Sequence, residues 1–342
     1  MRILLTGKFD PEYNRTKIII KGLEDLGVEL KIMPYTRKYK LNKKELRMET
    51  EKADWIFLPS FTHTDVPFIR KMTAKPIIFD PLISRYLSKV FDYKAVSRYS
   101  PRAYKNFLKD SRSLLRSDII LADTFCHKKY YEEKFSVNPG KIKVLPIGVI
   151  TKDFYPLQEK PDNLENITVG FYGSFIPLHG IDIIIEAAKE LSRYRNINFR
   201  ILGNGILFRE MKDLAEKQKL NNIEFPGYVR YPKLNYEINN FDIALGIFGS
   251  SLKASMVIPN KLFHYAACQV PVISMESDAV KEIFSHNENI HLCSPSPASL
   301  AEAILKLQNK DYRKKIARNA GKLIRENYNE KRIGKMFMDI LT

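Results

Sequence analysis

Short apolar runs alternate with amphipathic helical windows along almost the whole chain, and no other feature constrains the fold as much. The chain opens with "RILLTG", a helical "RTKIIIKGLEDLG" and then "VELKIM". "DWIFLPS", "KPIIFD", "DIILAD" and "KIKVLPIG" follow as further strands with helices between them. Short buried strands separated by helices of roughly 10–15 residues predict a parallel, doubly wound sheet. The segment "VITKDFYPLQEKPDNLEN", with two prolines and no periodicity, breaks the rhythm. A second α/β run begins at "ITVGFYGS". Its first helix places Ile181, Ile184, Ile185, Ala188 and Leu191 on one face. "NINFRILGNG", "NIEFPGY", "FDIALGIF", "VPVISM" and "NIHLC" supply five more strands, and the end of the chain is helical. The expectation is an α/β protein of two Rossmann-like doubly wound domains facing across a cleft. Residues 1–155 form the first and 156–327 the second, with a C-terminal helix over 328–342 packing back on the first.

A chain of 342 residues, 44% of them hydrophobic and including 20 Phe and 18 Tyr, has the material for full cores without staples. The three cysteines, Cys126, Cys268 and Cys293, lie far apart and read as buried thiols of a reducing compartment. The N-terminal apolar run is too short for a signal h-region, and no window approaches the roughly 18 apolar residues of a membrane span. A cytoplasmic protein is expected. The net charge of +17 is uneven, since residues 1–150 carry 30 Lys and Arg against 17 Asp and Glu. That half reads either as a solvated basic surface or as a face for an anionic partner: a membrane, a nucleic acid or a phosphorylated substrate.

Open α/β sheets bind ligands outside the C-terminal strand ends, which directs attention to the loops there. In "SSLKASMVIPNKLFHYAACQVPVIS", Lys253 and Lys261 bracket a loop leading through Pro259 and Asn260 into a helix. Free N–H groups and the positive dipole end favour an anion at such a junction. His264 lies one turn further on, open to a phosphate or ribose contact or to a structural role. Gly173 and Ser174, with His179, form a "GS…HG" edge that lets backbone approach a phosphate. In the first half, Asp80 closes the strand "PIIF" just before Pro81. It is either a base for an incoming hydroxyl or a cap. His63 is a second candidate base or phosphate contact.

The ordered set "VGFYGSFIPLHGIDIIIEAAKEL", "FRILGNG", "IEFPGYVRYPKL", "FDIALGIFGSSLKASMVIPNKLFHYAACQVPVISM" and "AVKEIF" resembles the donor-binding domain of retaining GT-B glycosyltransferases of the "glycosyl transferases group 1" type. The first half is more loosely similar to their acceptor domain, through "GKFDPEYNRTKIIIKGLEDLGVE", "KPIIFDPLISRY" and "IILADTFCHKKYY". The resemblance implies a nucleotide-diphosphate sugar on the second domain and an acceptor on the first, with same-face displacement and retention. It assigns donor contacts to Gly7, Gly173, Ser174, His179, Asn204, Gly227, Tyr228, Val229, Pro259, Asn260, His264 and Glu282. The last has the alternative of an acid in the N-terminal turn of a helix. The family's usual basic pair falls on Ser174 and His179, and its two glutamates on Met256 and His264. Lys253 and Lys261 are then expected to carry the phosphates. The sequence contains no D-x-D, so no cofactor is expected and protein cations replace a metal.

Residues 85–116 hold nine cations, often three or four apart, with Tyr and Phe interleaved. Arg85, Lys89, Arg98, Arg102, Lys105, Lys109 and Arg112 are the expected contacts to an anionic membrane surface. Nucleic acid is not expected, because no nucleic-acid fold accompanies the charge. The expected function is transfer of a sugar to a lipid-linked or cell-envelope glycan acceptor, by an enzyme peripheral on the inner membrane face. The alternatives are a catalytically degenerate nucleotide-binding subunit of the same fold and a basic nucleic-acid-binding scaffold.

Overall fold

The computed structural model describes residues 1–157 and 166–341. Residues 158–165, part of the proline-containing segment expected to join the domains, lie outside the described residues. The chain divides into two compact units, Met1–Gly148 with Asn329–Thr342, and Val149–Tyr328. Residues just after Gly148 belong to the second unit for local reasons: the Val149 N–H bonds to the Tyr328 carbonyl at 3.0 Å, and Phe154 stacks on His264.

Each unit is built on a six-stranded parallel sheet, as the alternation predicts. The first contains β1 (Arg2–Gly7), β2 (Glu29–Pro34), β3 (Trp55–Leu58), β4 (Ile77–Phe79), β5 (Ile119–Ala122) and β6 (Ile142–Val144), in the order β2-β1-β3-β4-β5-β6. Ile3, Leu4 and Leu5 are all fully buried, as a strand covered on both faces requires. The second sheet contains β7 (Ile167–Tyr172), β8 (Ile197–Leu202), β9 (Ile223–Gly227), β10 (Ile243–Leu245), β11 (Val272–Met275) and β12 (His291–Cys293). Its order is β12-β11-β10-β7-β8-β9. Val169 and Phe171 of β7 pack with Ile184 and Ile185 of the helix Ile181–Glu190, and with Leu245 and Ile273. Gly170 is needed in β7 because a Cβ there would stand 2.0 Å from the Phe241 ring.

The last helix, Glu330–Leu341, lies against the helix Asn14–Asp25 within the first unit. Two glycines make the close crossing possible. A Cβ on Gly22 would meet the Glu330 carbonyl oxygen at 2.2 Å and the Gly334 nitrogen at 2.8 Å. Beyond the crossing, Phe337 is fully buried and packs edge-on against Phe57 of β3, with ring centroids 5.2 Å apart. Gly22→Ala should therefore lose stability despite alanine's better helix propensity, by about 1–3 kcal/mol from overpacking against backbone. Urea denaturation monitored by circular dichroism measures this, and an unchanged midpoint would show that the helices slide apart without cost.

Candidate functional site

The strand order of the second sheet reverses between β7 and β10, and a crevice opens outside the strand ends at such a switch. The loops leaving β7 and β10 are tied together there. Phe248 donates its N–H to the His179 carbonyl at 3.1 Å, and Gly249 donates to Leu178 at 3.2 Å. Gly180 has φ +60°, and a Cβ on it would strike the Phe248 carbonyl, so this closeness depends on glycine.

Lys261 enters this place from the first turn of the helix Asn260–Ala267, whose N-cap is Pro259. Its side chain is buried. The ammonium lies 3.7 Å from the centroid of the Phe171 ring and has no hydrogen-bond partner among the described residues. Burial drives its pKa well below the ordinary lysine value. Gly173, with φ +155°, makes room for it, since a Cβ on that residue would come within 2.8 Å of Lys261 Nζ. Lys253, on the short helix Leu252–Met256, is buried on the same side of the second unit. His179 completes the group. Burial first, and then the Lys261 and Lys253 charges, push its pKa well below that of free histidine, so it is neutral. Its Nδ1 bonds to the Ser174 carbonyl, which can only accept, so Nδ1 carries the proton and Nε2 is the acceptor.

A cavity of about 230 Å³ adjoins this cluster. Gly173, Ser174, Asn204, Tyr228 and Val229 line it, which gathers five of the expected donor contacts on one wall system. Gly227 precedes Tyr228 at the end of β9, with φ +86°. Tyr172, Gly203 and Tyr231 also line the cavity and were missed by the sequence reading. The signal for Tyr172 was its place as the last residue of a buried strand, next to Gly173.

His264 sits to one side, in an aromatic stack. Its ring lies 3.8 Å from that of Phe154 at an interplanar angle of 12°, and parallel to that of Tyr172. Tyr172 Oη stands 2.5 Å from its Nδ1, and burial pushes its pKa down to about 3. The structure thus gives His264 the structural surroundings that were its alternative reading. Glu282 is half-buried at the C-cap of the short helix Asp278–Lys281, not in a helix first turn.

The first unit corrects two expectations. Asp80 is fully buried and accepts from Arg15 Nε at 2.6 Å through Oδ2 and from the Leu82 N–H at 3.0 Å through Oδ1. With both oxygens engaged inside the unit, it is an ion-pair anchor and not a base on a crevice. Arg15 lies 65 residues away in sequence, which is why no spacing revealed it. His63 is buried against Phe79, its Nε2 bonded to the Ile83 carbonyl at 3.1 Å. Burial and the Arg85 charge push its pKa down to about 3, so it is neither exposed nor cationic. Gly7, with φ +125°, is held against Thr62.

The basic stretch forms a π-helical turn over Leu87–Asp92 and then the helix Pro101–Leu115, capped by Ser100. Lys89, Arg98, Arg102, Lys105 and Arg112 are exposed, with Tyr99, Tyr104 and Leu115 beside them. Arg85 and Lys109 are half-buried, which removes them from the exposed set. The acids of the stretch, Asp92 and Asp110, are both buried, so its outer face is cationic. No helix among the described residues is long and apolar enough to cross a membrane.

Two Rossmann-like units, each on a six-stranded parallel sheet, have the architecture of the GT-B fold, and one of them holds buried cations at its switch point. Residues 155–323, nearly half of the chain, match the family model "Glycosyl transferases group 1". Two Methanocaldococcus jannaschii proteins, each named as an uncharacterized glycosyltransferase, are similar to it. One is 28% identical over 44% of this chain and 40% of its own length, the other 25% identical over 66% and 58%. The chain thus spans only about half the length of these curated relatives. Among solved structures, sucrose-phosphate synthase from Thermosynechococcus elongatus has a TM-score of 0.80, covering 100% of this chain and 98% of its own. Anabaena HepE, solved with UDP and glucose, has a TM-score of 0.74 with coverage of 100% and 99%. Both are 14% identical to this chain, a likeness that speaks for the fold.

The buried ammonium makes a pH-dependent prediction. Because the folded pKa of Lys261 is depressed, the unfolded chain binds a proton there that the folded chain lacks at pH values between the folded pKa and about 10.5. Folding stability gains from this group as pH rises through that window. Lys261→Met should be more stable than the parent at neutral pH, by about 1–3 kcal/mol, with the gap closing toward pH 10.5. Chemical denaturation of both proteins across pH tests it, and a gap independent of pH would mean the ammonium is not held dry.

Proposed function

We propose that the chain transfers a sugar from a nucleoside diphosphate sugar, with retention, to a lipid-linked or cell-envelope glycan acceptor at the inner face of the membrane. The observation that carries the donor half is Lys261: a buried ammonium without a hydrogen-bond partner among the described residues, at a helix start, beside a cavity lined by backbone-exposing glycines. A diphosphate is the anion that chemistry asks for, and charge building on the leaving phosphate would be met by Lys261 and Lys253. Anabaena HepE, similar in fold, was solved with UDP and glucose, which agrees with this reading. Neutral His179 offers Nε2 as an acceptor for a sugar or phosphate hydroxyl. Tyr228, 74% exposed on the cavity rim, offers a ring face to a nucleobase. Two lysines in place of a carboxylate pair suit a metal-independent reaction. In unit 1, Asp80 and His63 hold the interior, and neither serves as the base.

The donor reading is tested by nucleoside diphosphate release from a panel of UDP-, GDP- and ADP-sugars. One donor should turn over, its diphosphate should raise the melting temperature, and Lys261→Ala should lower kcat by about 100- to 1000-fold with the fold intact. Tight nucleotide binding without turnover of any donor would favour a degenerate binding subunit instead.

The membrane half is supported by the one-sided charge of the helix Pro101–Leu115, with exposed Tyr104 and Leu115 next to its cations. Each exposed cation near an anionic surface is worth about 1 kcal/mol, so Arg102→Gln with Lys105→Gln should weaken binding to phosphatidylserine-containing vesicles about 30-fold. Co-sedimentation reads this, and equal pelleting of parent and variant would sink the docking surface.

A further inference from the structure

The opposite end of the second sheet carries another hollow, of about 610 Å³, between the starts of β7, β8 and β9 and the helix Tyr231–Asn239. It shares no lining residue with the cavity beside Lys261. β7 and β8 are six residues each, so the two sites stand about 20 Å apart across the sheet.

Its lining narrows what it can hold. Arg200 on β8 is paired in register with Glu224 on β9, and it also bonds Glu237 at 3.1 Å. Both carboxylates thereby engage the cation among the described lining residues, so the hollow offers neither a spare positive charge to an anion nor an open carboxylate pair to a metal. An apolar ligand is no better served, because Asn198, Asn221 and Asn240 stand exposed around the mouth. What remains is a neutral ligand rich in hydroxyls. Planar amide and carboxylate groups present donors and acceptors at the spacing of adjacent hydroxyls. Tyr236, a residue 63% exposed at the rim, supplies the flat apolar face on which the C–H side of a sugar ring packs. The volume lies within the range of sites for ligands of a few rings.

We propose that this hollow is a glycan-binding site for a neutral oligosaccharide segment, separate from the donor cavity. The inference does not depend on the donor reading. The test is saturation-transfer difference NMR on the full chain with maltotriose, cellotriose, mannotriose and triacetylchitotriose. At least one trisaccharide should bind. UDP and inorganic phosphate should leave it bound, and Lys261→Ala should not affect it. Tyr236→Ala and Asn221→Ala, both at exposed positions, should weaken it about tenfold with unchanged melting temperature. The proposal is overturned if none of the four binds, if UDP or phosphate displaces the sugar, or if both variants bind as the parent does. Absence of a UDP effect on melting would count against the donor assignment alone.

Discussion

The ammonium of Lys261 lies under the ring of Phe171, buried from solvent, and no carboxylate among the described residues answers it. A dry charge raises the free energy of the empty protein, and the surrounding residues are those that hold it there regardless. Gly173 leaves space for Nζ, and His179 adds no second positive charge because it is neutral. Lys261 stands in the first turn of its helix, where N–H groups lack intrahelical partners. Each of these features is mildly unfavourable or neutral to folding in isolation. Together they form a concavity whose electrostatics favour an anion, prearranged at the switch point where the parallel sheet already opens.

The fold was readable because a sheet covered on both faces demands continuous apolar strands, and strands such as "RILLTG" and "ITVGFY" could belong nowhere else. The donor side was readable in part. Lys261 and Gly173 were visible as a cation at a helix start and a glycine at a strand end. That Phe171 would cover the ammonium was not, because it depends on which face of a strand meets which turn of a distant helix. His264 shows the same limit. Its spacing from Lys261 is helical and suggests a shared face, yet Phe154, far earlier in the chain, claims its ring.

The first unit was less legible, since its polar residues solve interior problems. Asp80 looked like a carboxylate on a crevice because strand ends are where catalytic groups collect. Its partner, Arg15, comes from the helix after β1, and a buried pair of that kind leaves no trace in local spacing. Asp110 follows the same logic. It accepts from Ser84 Oγ at 2.7 Å and the Tyr86 N–H at 2.8 Å, and burial pushes its pKa up to about 6. Turning this acid inward strips the helix's outer face of negative charge, so the surface field there is a by-product of how the interior is tied.

The glycine-to-glycine crossing of the helices Asn14–Asp25 and Glu330–Leu341 has a consequence for the order of assembly. The first unit is interrupted in sequence by the whole of the second, so its sheet emerges from the ribosome early while one of its covering helices follows the second unit. Until residues 330–341 are made, the Gly22 side of the early helix and the flank of Phe57 face solvent or a chaperone. The second unit, contiguous in sequence, can close before residues 330–341 are made. Synthesis thus completes the second-made unit before the first-made one.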